Sequence, residues 1–257
     1  CSCSRIRTPF LRSSPVLVSS SKAPKRSGRV MSMDPGVGNN LDIIVATASL
    51  AGLIPFPPDP VYVATKHAAR GFTESLRCEL LHDGSSIAVT EVHLPGINTP
   101  QFDWARTRRG RRPRPVPPVF EPEQAAEAIL QAAADPGERE YWLGRSTAMV
   151  ILGNMLAPWL LDRYLAHGAV EAQWVNEPDH PHFRDNLHHP EPGLHRTRGS
   201  FGHEASGGAA VLPGNATRAA ALLGACALSA AAGFALGGLL GARNGSNRGR
   251  IEASRRR

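Results

Sequence analysis

Of the 257 residues, 42% are hydrophobic, enough for a core, but 22 prolines and 25 glycines crowd outside the periodic stretches. The net charge of +7 is spread over an N-terminal tract, an arginine-rich loop and the C-terminal tail, which argues against a single nucleic-acid footprint. Cys1, Cys3, Cys78 and Cys226 follow neither metal-site nor disulfide-framework spacing, so a reducing compartment is expected and no metal site is assigned.

Residues 1–40 are rich in Ser, Arg, Pro and Gly, and no apolar period persists. Arg and Pro interrupt every apolar run, which excludes a signal-peptide core, and the segment is expected to be disordered. Gly36-Val37-Gly38 follows no strand and opens no helix, so a phosphate-binding turn is not expected there. From Leu41 the texture changes. LDIIVATA (41–48) suits a strand buried on both faces of a parallel sheet. After a Gly/Pro-rich loop, residues 61–81 predict a helix, with Ala64, Ala68, Phe72, Leu76 and Leu80 recurring every four residues. SIAVTEVHL (86–94) predicts a second strand, ended by Pro95-Gly96, and strand–helix–strand in this order is a βαβ crossover.

Residues 101–122 hold six arginines and five prolines, a composition that predicts a long exposed loop with no regular element. A helix is expected from Pro122, with Ala126, Ile129 and Ala133 on one face, then a short strand over 139–143. Residues 146–166 predict an apolar helix broken near Pro158 and packed on the sheet or walling an apolar pocket. Residues 167–217 read as a polar, histidine-rich linker whose spacings fit no closed metal site. Residues 219–242 run for 24 positions without a charge between Arg218 and Arg243. That is long enough to cross a bilayer core of about 30 Å, so 218–243 is assigned as a transmembrane helix, with 244–257 as a basic tail. This assignment places the protein at a membrane with its catalytic part cytoplasmic; the alternative is a cytoplasmic protein.

The chemistry concentrates in Ser49–Lys66. Tyr62 and Lys66 are four residues apart, so at the start of a helix they share one face, and Ser49 lies thirteen residues upstream of the tyrosine. An ammonium beside the phenol favours the phenolate, and a serine hydroxyl can polarise a carbonyl oxygen while the tyrosine gives or takes the proton. That set suits alcohol/ketone chemistry.

ATASLAG, YVATKHAARGFTESLRCEL and LPGINTPQF resemble, in this order, three linked motifs of the classical short-chain dehydrogenase/reductase family: the serine loop, the catalytic helix and the Pro-Gly-x-x-x-Thr turn. The resemblance covers about residues 41–195 and implies an α/β fold: the last strands and helices of a Rossmann-type, doubly wound parallel sheet, over 41–166. It also implies that Tyr62 is the general acid/base, that Ser49 orients the substrate carbonyl, and that Lys66 holds the nicotinamide ribose. Pro95, Gly96, Ile97 and Thr99 would meet the nicotinamide end of NAD or NADP, and 101–120 would form the substrate lid. The family's glycine-rich Thr-Gly-x-x-x-Gly-x-Gly turn, its Asn-Asn-Ala-Gly motif and its catalytic asparagine have no counterpart before Leu41. The expectation is therefore a truncated NAD(P)-dependent oxidoreductase for a small alcohol or ketone, with the 61–81 helix available for a homodimer and with no nucleic-acid partner. The alternative is a catalytically inactive, membrane-associated remnant that serves in packing or dimerisation.

Overall fold

The computed structural model describes residues 42–107, 110–178, 185–232 and 234. The tract 1–40, His180, His182 and the tail 244–257 lie outside them. Residues up to Gly214 form one compact unit and those from Asn215 a second.

In the first unit, strand β1 (Ile43–Ser49) leads through a 3-10 turn (Leu50–Gly52) to helix α1 (Pro60–His82), and α1 returns to strand β2 (Ala88–Leu94). Pro60 opens α1 where a missing amide hydrogen costs nothing. β1 and β2 pair in parallel from Ile43↔Ala88 to Ser49↔Leu94, which is the expected crossover. Next come β3 (Gly96–Ile97), α2 (Gln101–Trp104), β4 (Arg111–Pro113), β5 (Val119–Phe120), α3 (Pro122–Ala134) and β6 (Glu140–Leu143). β6 lies parallel to β2 on its far side. α4 (Arg145–Leu156) and α5 (Pro158–Gly168) are separated at the expected proline. β7 (Trp174–Pro178), β8 (Ala205–Ser206) and β9 (Val211–Pro213) complete the unit. The main sheet runs β1-β2-β6-β9, three parallel strands and one antiparallel edge.

Because side chains alternate along a strand, the sheet has two distinct faces. Val45, Val92, Tyr141 and Leu143 meet Ala125, Ala128 and Ala132 of α3 on one of them. The stripe expected on α3 is therefore rotated: Ile129 and Ala133 lie at its margin and Ala126 is exposed. Trp142 faces the other side, against Ala148 and Ile151 of α4. α1 departs further from expectation. Its apolar positions Ala64, Ala68 and Phe72 are exposed, whereas Lys66, Arg70, Thr73 and Arg77 turn inward. Periodicity found the helix but not its inward face, where Arg77 reaches the Val89 carbonyl of β2 while Arg70 and Thr73 bond within the helix.

Three expectations are corrected. Residues 101–122 are not an irregular exposed loop. β4 pairs with β7, β5 lies buried between β3 and β8, and the described arginines of the stretch are taken up by carboxylates. Arg106 meets Asp185 at 2.8 Å, Arg111 meets Glu171 at 2.7 Å, Arg112 meets Asp103 at 2.6 Å, and Arg114 pairs with Glu204. Asp103 also receives Arg196 and Ser200 at 2.6 Å each; burial opposes its charge, but these hydrogen bonds win and hold the carboxyl below the usual aspartate range. Residues 167–217, expected as a linker, supply β7, β8 and β9, and Phe201 is buried. Lastly, no helix among the described residues is long and apolar enough to cross a membrane. Residues 214–232 are helical, yet they include Asn215, Thr217 and Arg218, so the span assigned to 218–243 is not supported; Gly233 and 235–242 lie outside the described residues.

Candidate active site

Ser49 ends β1, and Leu94, its register partner, ends β2. The serine loop and the Pro95-Gly96 turn thus leave the sheet side by side at the carboxyl ends of parallel strands, where open α/β sheets place their ligands. Ser49 caps the 3-10 turn, its Oγ accepting from the Ala51 amide at 3.2 Å.

The loop carrying Ser49 is held from two sides. Gly52 lies against α1 so closely that a Cβ there would stand 3.1 Å from the Lys66 carbonyl oxygen. A side chain at 52 would require the loop or the helix to give way slightly, one turn from the tyrosine. On the opposite flank Leu50, Leu53 and Ile54 pack against α4 and α5, and Asn154 Nδ2 donates to the Leu53 carbonyl at 3.1 Å. Gln173 ties the proline loop down by donating to the Pro57 and Ala169 carbonyls.

These contacts bring the three expected residues together. Tyr62 Oη donates to Ser49 Oγ at 3.2 Å, and Lys66 Nζ sits 5.4 Å from the centre of the Tyr62 ring. Tyr62 is 43% exposed, so its hydroxyl is open to a bound molecule. Burial of its stem lowers the Lys66 ammonium below the ordinary lysine range. Tyr141, in contrast, is buried and donates to the Asp135 carbonyl at 2.9 Å, and burial raises its phenol out of useful range. Only Tyr62, among the described tyrosines, has serine and lysine partners.

Pro95, Gly96 and Ile97 are half-buried at the same sheet edge. A Cβ on Gly96 would lie 2.6 Å from the Val116 carbonyl oxygen, so this turn needs glycine to pass the 115–116 segment. The Thr99 amide donates to the Ile97 carbonyl at 2.8 Å, and buried Asn98 accepts from the Phe201 amide at 3.1 Å. The turn is therefore anchored to residues about a hundred positions downstream.

Beside Ser49 lies a group that sequence reasoning missed. Glu91 and His93 of β2 and Glu140 of β6 are 2–3% exposed or less, on the sheet face away from α3. His93 Nε2 lies 3.2 Å from Glu91 Oε2 and 3.0 Å from Glu140 Oε2, and His93 Nδ1 lies 3.2 Å from the Ser49 carbonyl oxygen. The ligand-type atoms of the three residues fall within 4.8 Å of one another, near enough to share either a proton or a cation. Burial opposes the charged ring, but hydrogen bonds and charge from Glu140 and Glu91 outweigh it and raise His93 above the usual histidine range. The signal was in the sequence: two ionisable residues at i and i+2 of a strand share one face, and where that face is buried they require partners on it.

A model of the family described as short chain dehydrogenase matches residues 33–109. The oxidoreductase YxnA of Bacillus subtilis is 30% identical over 135 residues, covering 52% of this chain and 38% of that protein. A sulfoacetaldehyde reductase of Chromohalobacter salexigens is 41% identical over 64 residues, 25% of this chain and 24% of that one. A crystal structure of a short chain dehydrogenase from Burkholderia cenocepacia in complex with NADP aligns at TM-score 0.38 and 27% identity, over 49% of this chain and 48% of that chain. The chain spans well under half the length of these curated relatives. Residues 33–109, which hold β1 through the Pro95-Gly96 turn, are thus similar to the short chain dehydrogenase family.

Proposed function

We propose that the chain carries the acid–base half of an NAD(P)-dependent oxidoreductase that interconverts an alcohol and a carbonyl compound. The observation that carries this reading is Tyr62 Oη at 3.2 Å from Ser49 Oγ with Lys66 alongside. In the reducing direction Ser49 Oγ donates to the substrate carbonyl oxygen, and Tyr62 Oη delivers the proton that oxygen needs as it becomes a hydroxyl. In oxidation Tyr62 accepts the same proton. Lys66 stabilises negative charge at Oη by its own positive charge, which burial has made more effective. Proton transfer by a positioned side chain of this kind contributes about 10²–10⁴-fold in rate.

Hydride would come from the nicotinamide group when the cofactor is bound. The residues present fit its ribose end. Lys66 offers a partly desolvated ammonium and Tyr62 an open hydroxyl, while Pro95, Gly96, Ile97 and Thr99 offer backbone at the same sheet edge. For the pyrophosphate, no glycine-rich strand-to-helix turn occurs among the described residues. The second reading is a non-catalytic relative kept for its packing surfaces. The exposed Ala64, Ala68 and Phe72 stripe on α1 supports pairing with a second copy in either case.

Cofactor titration separates the two. NADH or NADPH is expected to bind the chain at micromolar concentration, and Lys66→Ala to weaken binding at least tenfold, read by fluorescence energy transfer from tryptophan. No binding of either dinucleotide would favour the non-catalytic reading.

A further inference from the structure

The geometry around His93 fixes its protonation. A backbone carbonyl can only accept, so the 3.2 Å contact with the Ser49 oxygen requires the proton on Nδ1. A neutral ring would then aim the bare Nε2 lone pair at Glu91 Oε2 and Glu140 Oε2, 3.2 and 3.0 Å away, in a region closed to water. Three acceptors converging on one buried point cost several kcal/mol. A second ring proton turns the same contacts into attraction between an imidazolium and two carboxylates.

The charges nearby agree. Arg77 of α1 donates to the Val89 carbonyl at 3.0 and 3.2 Å and to the Arg139 carbonyl at 3.4 Å, and its charge acts on Glu91 and Glu140. Imidazolium and guanidinium together balance the two carboxylates. Arg139, ahead of β6, is paired with Glu74 of α1 at 3.0 Å, and Glu74 also binds Arg70 at 3.1 Å. From β1 the ring meets the Ser49 carbonyl.

We propose that His93 is a positioning residue for the Ser49–Tyr62 pair: its doubly protonated ring, clamped by Glu91 and Glu140, grips the Ser49 carbonyl and so aims Ser49 Oγ at Tyr62 Oη. The clamp ties the last carbonyl of β1 to the middle of the sheet, beyond what the serine's own cap can do. It rests on the oxidoreductase reading only for the purpose of the serine–tyrosine contact.

NMR of the ¹³C,¹⁵N-labelled chain tests this without cofactor or turnover. At neutral pH both His93 ring nitrogens are expected to carry protons while exposed histidines titrate, and elemental analysis is expected to find no stoichiometric metal. His93→Asn, whose side-chain amide takes the place of Nδ1, should keep the hydrogen-bonded Ser49 carbonyl shift and the Ser49–Tyr62 proximity. His93→Leu should lose both. A singly protonated ring, a metal ion seated on Nε2, or a Ser49–Tyr62 contact unchanged in His93→Leu would each overturn the proposal. If His93→Leu fails to fold, the native ring spectra and His93→Asn still decide. A chain that binds no dinucleotide but shows the doubly protonated clamp would refute the proposed function and leave this inference standing.

Discussion

Replacing Tyr62 by phenylalanine is expected to lower oxidoreductase turnover about 10²–10⁴-fold, the range spanned by positioned acid–base groups. The substitution removes one oxygen and leaves the ring, so the 5.4 Å approach of Lys66 to that ring has nothing else to lose. The deleted hydrogen bond to Ser49 is solvent-accessible, and its loss should cost no more than about 1 kcal/mol of stability. Thermal denaturation beside steady-state rates separates the two effects: a large fall in kcat with an unchanged Tm is the expected pattern. A rate within a few-fold of the native chain would mean that the tyrosine is structural. Ser49→Ala is a less clean comparison, because Ser49 also caps the turn that follows β1.

Truncating Trp142 to alanine is expected to destabilise the first unit by about 3–5 kcal/mol, the usual cost of emptying a buried tryptophan site. Trp142 is fully buried and packs on Ala148, Ile151 and Leu212. It also supports Leu50 and Leu53, the residues on either side of the 3-10 turn that Ser49 caps. Loss of the indole should therefore loosen the serine loop together with the core. Urea unfolding measures the first effect, and faster amide exchange at 50–54 the second. A change below about 1 kcal/mol would show that the α4 side of the sheet is not a closed core.

How legible this was in the sequence depended on how local each cause was. β1, α1 and β2 follow from short-range patterns, and the pairing of Tyr62 with Lys66 follows from helical spacing once the helix begins at Pro60, while Ser49 was joined to them by the family resemblance. The break between α4 and α5 is written in Pro158. What could not be read was set by partners far along the chain. Arg111 and Arg112 look like a solvated basic tract until Glu171, Asp103 and Ser200 are brought to them. β9 joins β6 across about seventy residues, and nothing in Val211–Pro213 names that partner. The inward face of α1 was misread because it carries Lys66, Thr73 and Arg77, of which Arg77 bonds the Val89 carbonyl of β2 and Thr73 the helix's own Ala69 carbonyl. Glu91 and His93 were visible as misfits in a buried strand, but the third member, Glu140, enters only through the β2–β6 pairing. The membrane assignment counted length without charge, whereas the described helix there takes in Asn215, Thr217 and Arg218, and no helix among the described residues is long and apolar enough to cross a membrane.

In the proposed function Ser49, Tyr62 and Lys66 serve hydride transfer between a nicotinamide and a carbonyl carbon. Its most direct test supplies the chain with C4-deuterated NADH or NADPH and a panel of small aldehydes and ketones, and follows the label by mass spectrometry. Deuterium at the carbinol carbon of an alcohol product, formed by the native chain and lost with Tyr62→Phe, is the predicted result. Alcohol formed without the label, label transfer indifferent to Tyr62→Phe, or no product from any carbonyl would contradict it.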